Sequence, residues 1–289
     1  MTVRELLKNS NNIINTEDAG TDLDILVCYL LNIPRSKLFF HYDDVVAPEF
    51  ESTFLSLVKR LQSGEPVQYI TGKAPFGDHE FIVTPDVLIP RFDTELLFEK
   101  ASEYIKSATG SDRSDPFDIL DLCTGSGCLA VSIARSFPQI NVCASDISEA
   151  AIAVARQNAE SDVFDSNVVF YAGDLFEPFR SLTGPQRAVF DLIVSNPPYI
   201  PSKDIDSLEE TVKDHEPRLA LDGGEDGCDF YRRIIKEAKV FIKKGGRLML
   251  EAGIGQASVI ESLLSGEGYS DIVIYKDLGG IDRVVSAKV

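Results

Sequence analysis

Short apolar runs alternate with helical segments from about Phe117 to the end of the chain, and this alternation strongly constrains the fold. Helical segments such as CLAVSIARSF and FYRRIIKEAKVFI lie between several of the runs. Strands alternating with helices predict an α/β fold, a doubly wound parallel sheet covered on both faces. The last two runs are joined by a linker around Gly279 and Gly280, too short for a crossover helix, so the final strand is predicted to be antiparallel. The seven runs are FDILDL, INVCASD, VVFYAGD, FDLIVSN, GRLMLEA, DIVIYK and RVVSAKV.

The N-terminal part has the helical period instead. Apolar residues such as Phe54, Val58 and Leu61 recur on one helical face, with Pro48 where the helix would begin. The segment HEFIVTPDVLIP then alternates like a short hairpin or connector. These changes predict three regions: a small helical domain over 1–72, a β-hairpin linker over 73–90 and an α/β domain over 91–289.

Composition and charge narrow the function classes. The chain has 44% hydrophobic and 26% charged residues, an ordinary balance for a globular protein. Its net charge of −18 disfavours nonspecific nucleic-acid binding, because that affinity depends on Lys and Arg contacts with phosphates. No run is apolar enough for a membrane span, and no metal site is predicted. Five scattered cysteines fit reduced thiols in the cytoplasm.

A ligand loop is predicted after the first sheet strand, in ILDLCTGSGCLAVSIA. Gly125 and Gly127 let the backbone approach a ligand, and Asp146 ends the next strand about 20 residues further on, where a carboxylate can bind ribose hydroxyls. The third strand ends in Asp174 and Leu175, which could frame an adenine ring. This pattern also satisfies the dinucleotide fingerprint, so NAD remains an alternative at this point. The motif predicts an adenosine-containing ligand.

The fourth strand ends in Asn196-Pro197-Pro198-Tyr199, which is the most informative segment. Two prolines fix two φ angles and remove two N–H donors, leaving a stiff loop with acceptor oxygens on Asn196 and Pro197. Two fixed acceptors can hold both hydrogens of a planar NH₂ group and aim its nitrogen at an electrophile, without a general base. Tyr199 adds a flat face for stacking. A Pro-rich turn that only ends a strand is the structural alternative.

The glycine loop together with Asn-Pro-Pro-Tyr resembles amino-methyltransferases that use S-adenosylmethionine. Four segments carry a closer resemblance to one family, and it extends over most of the chain. They are GEPVQYITGKAPFGDHEFIVTPDVLIPRFDTE, DLCTGSGCLA, SNPPYIP and EPRLALDGGEDGCDFYRRI. These segments are similar to the PrmC/HemK family, which methylates the glutamine amide in the Gly-Gly-Gln motif of peptide-chain release factors. The resemblance implies a Rossmann-like seven-stranded methyltransferase domain, a small helical N-terminal domain and a β-hairpin linker. We expect the helical domain over 1–72 to dock the protein substrate, and a helical cap that only stabilises the larger domain is the alternative.

The resemblance also implies roles for individual residues. The catalytic residues would be Asn196, Pro197 and Tyr199, and these three together with Pro198 would bind the substrate. Asn196 and Pro197 would hold the glutamine amide, and Tyr199 would pack against it. Arg91, Asp93 and Thr94 would lie near the site, although Phe92 replaces the proline of the family's Arg-Pro-Asp-Thr-Glu segment. Residues that would contact the cofactor are Cys123, Thr124, Gly125, Ser126, Gly127, Asp146, Asp174, Leu175 and Asn196.

Other expectations and alternatives stay open at this stage. Phe76 and Phe81 are either aromatic lids over the methyl group or plain hairpin core. The expected protein substrate is a release factor, with no direct nucleic-acid binding, no membrane contact, a monomeric state and a cytoplasmic location. The alternatives are an amino-methyltransferase of RNA or DNA bases, an NAD-dependent oxidoreductase, and a catalytically silent binding protein on the same scaffold.

Overall fold

A computed structural model describes residues 1–11, 19–110, 116–160, 168–180 and 189–289. These residues group into two units. The smaller contains 1–73 together with 209–215, and the larger contains 74–208 together with 216–289. Among the described residues, no helix is both long and apolar enough to cross a bilayer.

The smaller unit is helical, as the 3.6-residue period predicts. Phe54, Val58 and Leu61 form the buried face of one helix, and that helix begins with Pro48. Gly64 follows its end with φ +85°, the left-handed conformation that favours glycine. The helices are α1 (Val3–Asn11), α2 (Ala19–Leu31), a 3₁₀ helix (Arg35–His41), α3 (Pro48–Gln62), α4 (Val67–Thr71) and, further along the chain, α9 (Glu210–Lys213).

A seven-stranded sheet forms the centre of the larger unit. All seven predicted strands are present, in the order β5-β4-β3-β6-β7-β9-β8. The final strand, β9, is antiparallel to both of its neighbours, which confirms the prediction from the short linker. The strands are β3 (Asp118–Leu122), β4 (Asn141–Asp146), β5 (Val168–Ala172), β6 (Phe190–Ser195), β7 (Ile242–Glu251), β8 (Ser270–Lys276) and β9 (Asp282–Lys288).

Helices cover both faces of this sheet and bury an apolar core on each. On one face α5 (Phe92–Ala108) and α6 (Cys128–Ser136) contribute residues such as Leu97 and Ile133. On the other face α11 (Asp229–Phe241) and α12 (Ala257–Gly266) contribute Ile234 and Leu264. The remaining helices of the unit are α7 (Glu149–Glu160), α8 (Glu177–Arg180) and α10 (Arg218–Leu221), with a 3₁₀ turn at Ile205–Ser207.

A two-stranded hairpin precedes the sheet. The alternation in HEFIVTPDVLIP suggests that HEFI is the first strand of the hairpin, but HEFI is its second strand. It pairs β1 (Lys73–Phe76) with β2 (His79–Ile82), and Gly77 turns the chain with φ +56°. Phe76 and Phe81 are each 1% exposed, and their rings meet edge to face with centroids 6.1 Å apart. Both rings lie in the core with Leu97, so the hairpin-core interpretation describes them and the lid interpretation does not.

Candidate active site

The carboxyl ends of four parallel strands meet at one edge of the sheet. β3 lies between β4 and β6, and β5 flanks β4, all in parallel register. The segments after these strands enclose a cavity of about 280 Å³. Its lining includes Cys123, Gly125, Asp146, Asp174, Leu175, Asn196 and Pro198. The sequence-predicted cofactor loop and the Asn-Pro-Pro-Tyr segment therefore open onto the same cavity.

The loop after β3 is wound tightly by left-handed backbone. Cys123, Gly125 and Gly127 have φ values of +59°, +55° and +77°. A side chain on Gly125 would meet nothing within 4 Å, so glycine is needed there for its conformation and leaves the backbone open to the cavity. A Cβ on Gly127 would lie 2.9 Å from the Ala155 Cβ, so this glycine lets α6 pack against α7.

Not every residue predicted for the loop faces the cavity. Cys123 and Gly125 line it, whereas Thr124 and Ser126 are buried behind it. The Thr124 hydroxyl donates to the Asp121 carboxylate over 2.6 Å. Burial raises the pKa of Asp121 to about 7, although the hydrogen bond from Thr124 opposes this shift. Asp121 and Thr124 thus brace the loop from below.

Asp146 is held so that its carboxylate can receive a further donor. Oδ2 accepts the Gly125 N–H and Oδ1 accepts the Ser148 N–H, each over 2.9 Å. The Ile147 N–H is a third backbone donor to this carboxylate, which has about four lone-pair directions, so about one direction remains for a ligand hydroxyl. Burial raises the pKa of Asp146, and the backbone N–H groups counter that shift by stabilising the charged form. This geometry fits a ribose hydroxyl.

The segment after β5 supplies one polar and one apolar wall. Leu175 is buried with φ +49°, an unfavourable conformation for a leucine that turns its side chain into the cavity lining. Asp174 forms an ion pair with Arg233, which also lines the cavity. The sequence patterns did not indicate Arg233. The pair leaves the second Asp174 oxygen available as an acceptor.

The corner after β6 is stiff and closely supported. Pro197 and Pro198 are buried, and Asn196 is partly buried where it lines the cavity. The Asn196 Nδ2 donates to the Thr94 Oγ1 over 3.0 Å. Thr94 lies in the first turn of α5 and is 4% exposed. Only the Asn196 side-chain oxygen then remains to accept a donor from a ligand.

Tyr199 is packed into the protein beside this corner. A Cβ on Gly253 would lie 2.9 Å from its ring, and a Cβ on Gly223 would lie 2.7 Å from its Cα. Its carbonyl accepts the Gln256 Nε2 over 2.9 Å. Burial raises the pKa of Tyr199 to about 12, so the phenol stays neutral at physiological pH. Pro197 and Tyr199 are next to the cavity-lining residues Asn196 and Pro198, but the cavity lining itself does not include them.

Backbone pairing with the segment 221–224 fixes the chain that leaves the corner. The Ile200 N–H donates to the Leu221 carbonyl, the Gly223 N–H donates to the Ile200 carbonyl, and the Ser202 N–H donates to the Gly224 carbonyl. The approach is so close that position 223 has no room for a side chain. This explains, in physical terms, the glycine pair in EPRLALDGGEDGCDFYRRI.

Charged residues behind the corner form two groups of ion pairs, each with at least one buried member. Arg91 pairs with the buried Glu216, and Arg283 bridges Asp93 and Asp277 at 2.9 and 3.1 Å. Of the three residues predicted near the site in the Arg91–Glu95 segment, Thr94 is the one that hydrogen-bonds to the corner. Phe92, which replaces the family's proline, is the first residue of α5 and is 77% exposed. Proline would also be tolerated at that position of a helix.

Family models match both parts of the chain. One described as the PrmC N-terminal domain matches residues 3–72, and one described as a methyltransferase domain matches residues 114–268. A release factor glutamine methyltransferase of Geobacter sulfurreducens is 40% identical over 291 residues, covering 100% of this chain and 97% of the relative. The chain belongs to the release factor glutamine methyltransferase family. A Bacillus cereus protein of the same name is 34% identical over 294 residues, covering 100% of both chains.

Solved structures agree on the fold. The hMettl16 catalytic domain has a TM-score of 0.54 at 11% identity, covering 83% of this chain and 82% of that one. A human methyltransferase 10 domain containing protein has a TM-score of 0.51 at 16% identity, covering 72% and 87%. At these identities the likeness shows the methyltransferase fold alone. Membership of the methyltransferase family supports S-adenosylmethionine as the cofactor, and it removes the NAD-dependent alternative.

Proposed function

We propose that this protein transfers a methyl group from S-adenosylmethionine to the side-chain amide nitrogen of the glutamine in the Gly-Gly-Gln motif of peptide-chain release factors. The observation that carries the proposal is that Asn196 lines the same cavity as Gly125, Asp146 and Asp174. One small molecule can therefore contact the predicted cofactor residues and the acceptor corner together. The names of the relatives identify release factors as the substrates of those proteins.

Three loops would each bind one part of the cofactor. Cys123 to Gly127 would surround the methionine part, Asp146 would accept the ribose hydroxyls, and Asp174 with Leu175 would frame the adenine. The structure fits such a ligand, since the Asp146 carboxylate can still accept a hydroxyl and the Gly125 backbone is open to the cavity. The methyl carbon attached to the positive sulfonium supplies the electrophile when the cofactor is bound.

The acceptor corner would orient the substrate amide. The Asn196 Oδ1 and the Pro197 carbonyl would each accept one hydrogen of the glutamine NH₂, with Pro198 and the buried Tyr199 keeping the corner rigid. Holding the nitrogen in line with the donor can contribute several kcal/mol to catalysis, as expected for proximity and orientation. The amide nitrogen needs no base before attack. Its surplus proton leaves after transfer, when the nitrogen carries positive charge.

Further proposals concern the partner and the setting. The N-terminal helical region, 1–72, would act as a docking domain for the release factor rather than as a stabilising cap. The protein would act as a monomer in the cytoplasm without binding nucleic acid directly, which its net charge of −18 supports. Five free cysteines also fit a reducing compartment. A base amino-methyltransferase needs the same corner chemistry, but the relatives' names favour the release factor.

Mass spectrometry of a purified release factor tests the proposal. Incubation with this protein and S-adenosylmethionine should add one methyl group, located by fragmentation on the Gly-Gly-Gln glutamine. A release factor with asparagine in place of that glutamine is the matched control and should stay unmodified. Methylation of another residue, or of RNA in a parallel reaction but not of the release factor, would contradict the proposal.

The docking role has its own test in the smaller unit. Phe39 and Phe40 are 72% and 77% exposed there, so they can be changed with little effect on the core. Replacing both by serine should raise the KM for the release factor and leave the kcat and the cofactor affinity unchanged. An unchanged KM would count against docking through these residues.

A further inference from the structure

A line of three polar side chains begins at Asn196 and runs into the protein. The Asn196 Nδ2 donates to the Thr94 Oγ1 over 3.0 Å, and Thr94 lies close enough to the Glu251 carboxyl to lower its pKa. Thr94 is 4% exposed and Glu251 is 0% exposed. Asn196 follows β6 and Glu251 ends β7, which are neighbouring parallel strands with Ser195 opposite Leu250. The sheet register therefore brings the amide and the carboxyl to the same edge.

Glu251 is unusual because a buried carboxyl is costly unless it is hydrogen-bonded. Among the described residues, neither of its carboxyl oxygens has a partner that meets ordinary hydrogen-bond geometry, although the Thr94 hydroxyl lowers its pKa. Its backbone carbonyl, by contrast, accepts the Tyr231 hydroxyl over 3.0 Å. A buried group that contributes so little to stability calls for a role in the site.

The hydroxyl of Thr94 determines which way the Asn196 amide points. A hydroxyl carries a single hydrogen, and if Glu251 accepts it, the Thr94 oxygen can only accept from Asn196. The Asn196 NH₂ must then face Thr94, and its carbonyl oxygen must face the other way. A reversed amide would direct NH₂ hydrogens at the NH₂ group of the substrate, and the two donors could not pair.

We propose that Thr94 and Glu251 are positioning residues that fix the Asn196 amide with its oxygen toward the substrate nitrogen. The inference rests on the proposed function of Asn196, and it extends that function to two residues outside the Asn-Pro-Pro-Tyr motif. Either protonation state of Glu251 retains an acceptor oxygen for Thr94, so the orientation does not require an ionised carboxyl.

Charged groups of both signs surround the Glu251 carboxyl, and their effects on its pKa oppose one another. Burial is the main cause that raises its pKa to about 7, Thr94 opposes the rise, and Asp93 on α5 adds to it. Arg283 on β9 and Arg91 before α5 lower the pKa, and the phenols of Tyr199 and Tyr231 also face this region. The Asn196–Thr94 hydrogen bond and the burial of Glu251 at the same sheet edge, rather than this shift, support the inference.

Thr94→Val tests the hydroxyl, since valine keeps the shape and removes the oxygen. We expect kcat for release factor methylation to fall about 10- to 100-fold, as for a misdirected catalytic group. The cofactor Kd by calorimetry and the thermal unfolding midpoint should change little. Thr94→Ser should restore most of the kcat, and Thr94→Ala repeats the test if valine is not accommodated. Thr109→Val is the control at the C-cap of the same helix, where the Thr109 hydroxyl donates to the Ile105 carbonyl.

Two further variants separate positioning from a structural role. Glu251→Met removes the acceptor offered to Thr94, so kcat should fall while stability is kept or increased, because the cost of burying a carboxyl is removed. Glu251→Gln keeps an acceptor oxygen and should retain more of the kcat. In the double variant Thr94→Val/Asn196→Ala, the rate should be no lower than for Asn196→Ala alone, because both changes remove the same effect.

The results that overturn the inference differ from those that overturn the proposed function. A Thr94→Val enzyme with wild-type kcat, or a drop that serine does not rescue and that adds fully to Asn196→Ala, would reject the positioning role. In those cases the wild type still methylates the release factor, and the Asn196→Ala variant still does not methylate it at the normal rate. If instead the wild type does not methylate the release factor, the proposed function is wrong.

Discussion

The two halves of the site lie at the same sheet edge but are built differently. The donor half, after β3, β4 and β5, is made by backbone: left-handed residues at Cys123, Gly125 and Leu175 and N–H groups aimed at Asp146. The acceptor half, after β6, is made by side chains and close packing. Prolines stiffen it, and Thr94 and Gly223 support it from distant parts of the chain.

Because of this difference, we expect the donor half to determine cofactor binding and the acceptor half to determine the orientation of the substrate. A backbone cradle tolerates many side chains and mainly sets affinity for a common cofactor. A corner that must place one nitrogen in line with one carbon depends on the exact position and polarity of a few atoms. Changes in the donor half should therefore act on cofactor affinity, and changes in the acceptor half should act on turnover.

The largest effect is expected for Asn196→Ala in the acceptor half. The loss of one of the two acceptors should lower kcat by about 100-fold or more, because the substrate nitrogen is no longer aimed. Cofactor affinity should be nearly unchanged. Single-turnover transfer of a labelled methyl group and calorimetry measure the two quantities.

Asn141→Ala is the matched control for that change. Asn141 lies at the opposite end of β4, where its amide donates to Asp118 at the surface. We expect normal turnover from it. If Asn196→Ala methylated the release factor as fast as Asn141→Ala, the role of the corner would be refuted.

Asp146→Asn should produce the next largest effect, in the donor half. Hydrogen bonds to charged groups contribute about 1.5–3 kcal/mol, so the cofactor Kd should rise roughly 10- to 100-fold. At saturating cofactor, kcat should stay close to that of the wild type. Asp282→Asn, in an exposed ion pair with Lys276, is the control and should leave the Kd unchanged. If Asp146→Asn lowered kcat and left the cofactor Kd unchanged, the proposed difference between the two halves would be wrong.

Gly223→Ala probes the packing of the acceptor half without touching a polar group. The new Cβ would lie 2.7 Å from the Tyr199 Cα, so the corner must shift. We expect a loss of about 1–3 kcal/mol in the free energy of unfolding, a lower kcat and an unchanged cofactor Kd. Gly266→Ala, where nothing lies within 4 Å of the added methyl, should not reduce either quantity. A stable and fully active Gly223→Ala protein would show that this contact is unimportant.

Asp121→Asn tests the support of the donor half through pH. Burial raises the pKa of Asp121 from 3.8 to about 7, so the folded protein holds this proton more tightly than the unfolded chain. Its stabilising contribution is thus present at low pH and is lost as the pH rises from about 4 to about 7. Relative to the variant, the wild type should lose about 2 kcal/mol of unfolding free energy between about pH 5.5 and pH 8.

Urea unfolding at several pH values measures that difference. Asp118→Asn at the other end of β3, where the carboxylate is paired with Lys243, should not reproduce the slope. If the free energies of unfolding of the wild type and Asp121→Asn changed in parallel with pH, Asp121 would not be held protonated.

The donor half could be predicted well from the sequence. Each of its residues ends a strand or lies within three positions after one, so a local pattern of strand, glycine or acid, and helix identifies Gly125, Asp146 and Asp174. The seven strands and the antiparallel β9 followed from the same local alternation. The roles of Thr124 and Ser126, which are buried behind the loop, could not be separated from those of cavity-lining residues.

The supports of the acceptor half could not be predicted, because they depend on long-range packing. Thr94 was only placed near the site, and neither its bond to Asn196 nor the role of Glu251 has a sequence signature. Glu251 ends a strand whose pattern resembles ordinary core. The helix α5 was also not predicted. Its buried face is formed by Thr94, Leu97, Ala101, Ser102 and Ile105, and the two hydroxyl residues weaken the apolar 3.6-residue period there.

A crystal structure of the protein with S-adenosylhomocysteine and a Gly-Gly-Gln peptide measures the arrangement directly. We expect the glutamine Nε2 to lie between the Asn196 Oδ1 and the Pro197 carbonyl, each about 3 Å away, with the nitrogen pointing at the sulfur of the bound nucleoside. A glutamine bound elsewhere, or an Asn196 amide that faces the peptide with its NH₂ group, would contradict the mechanism.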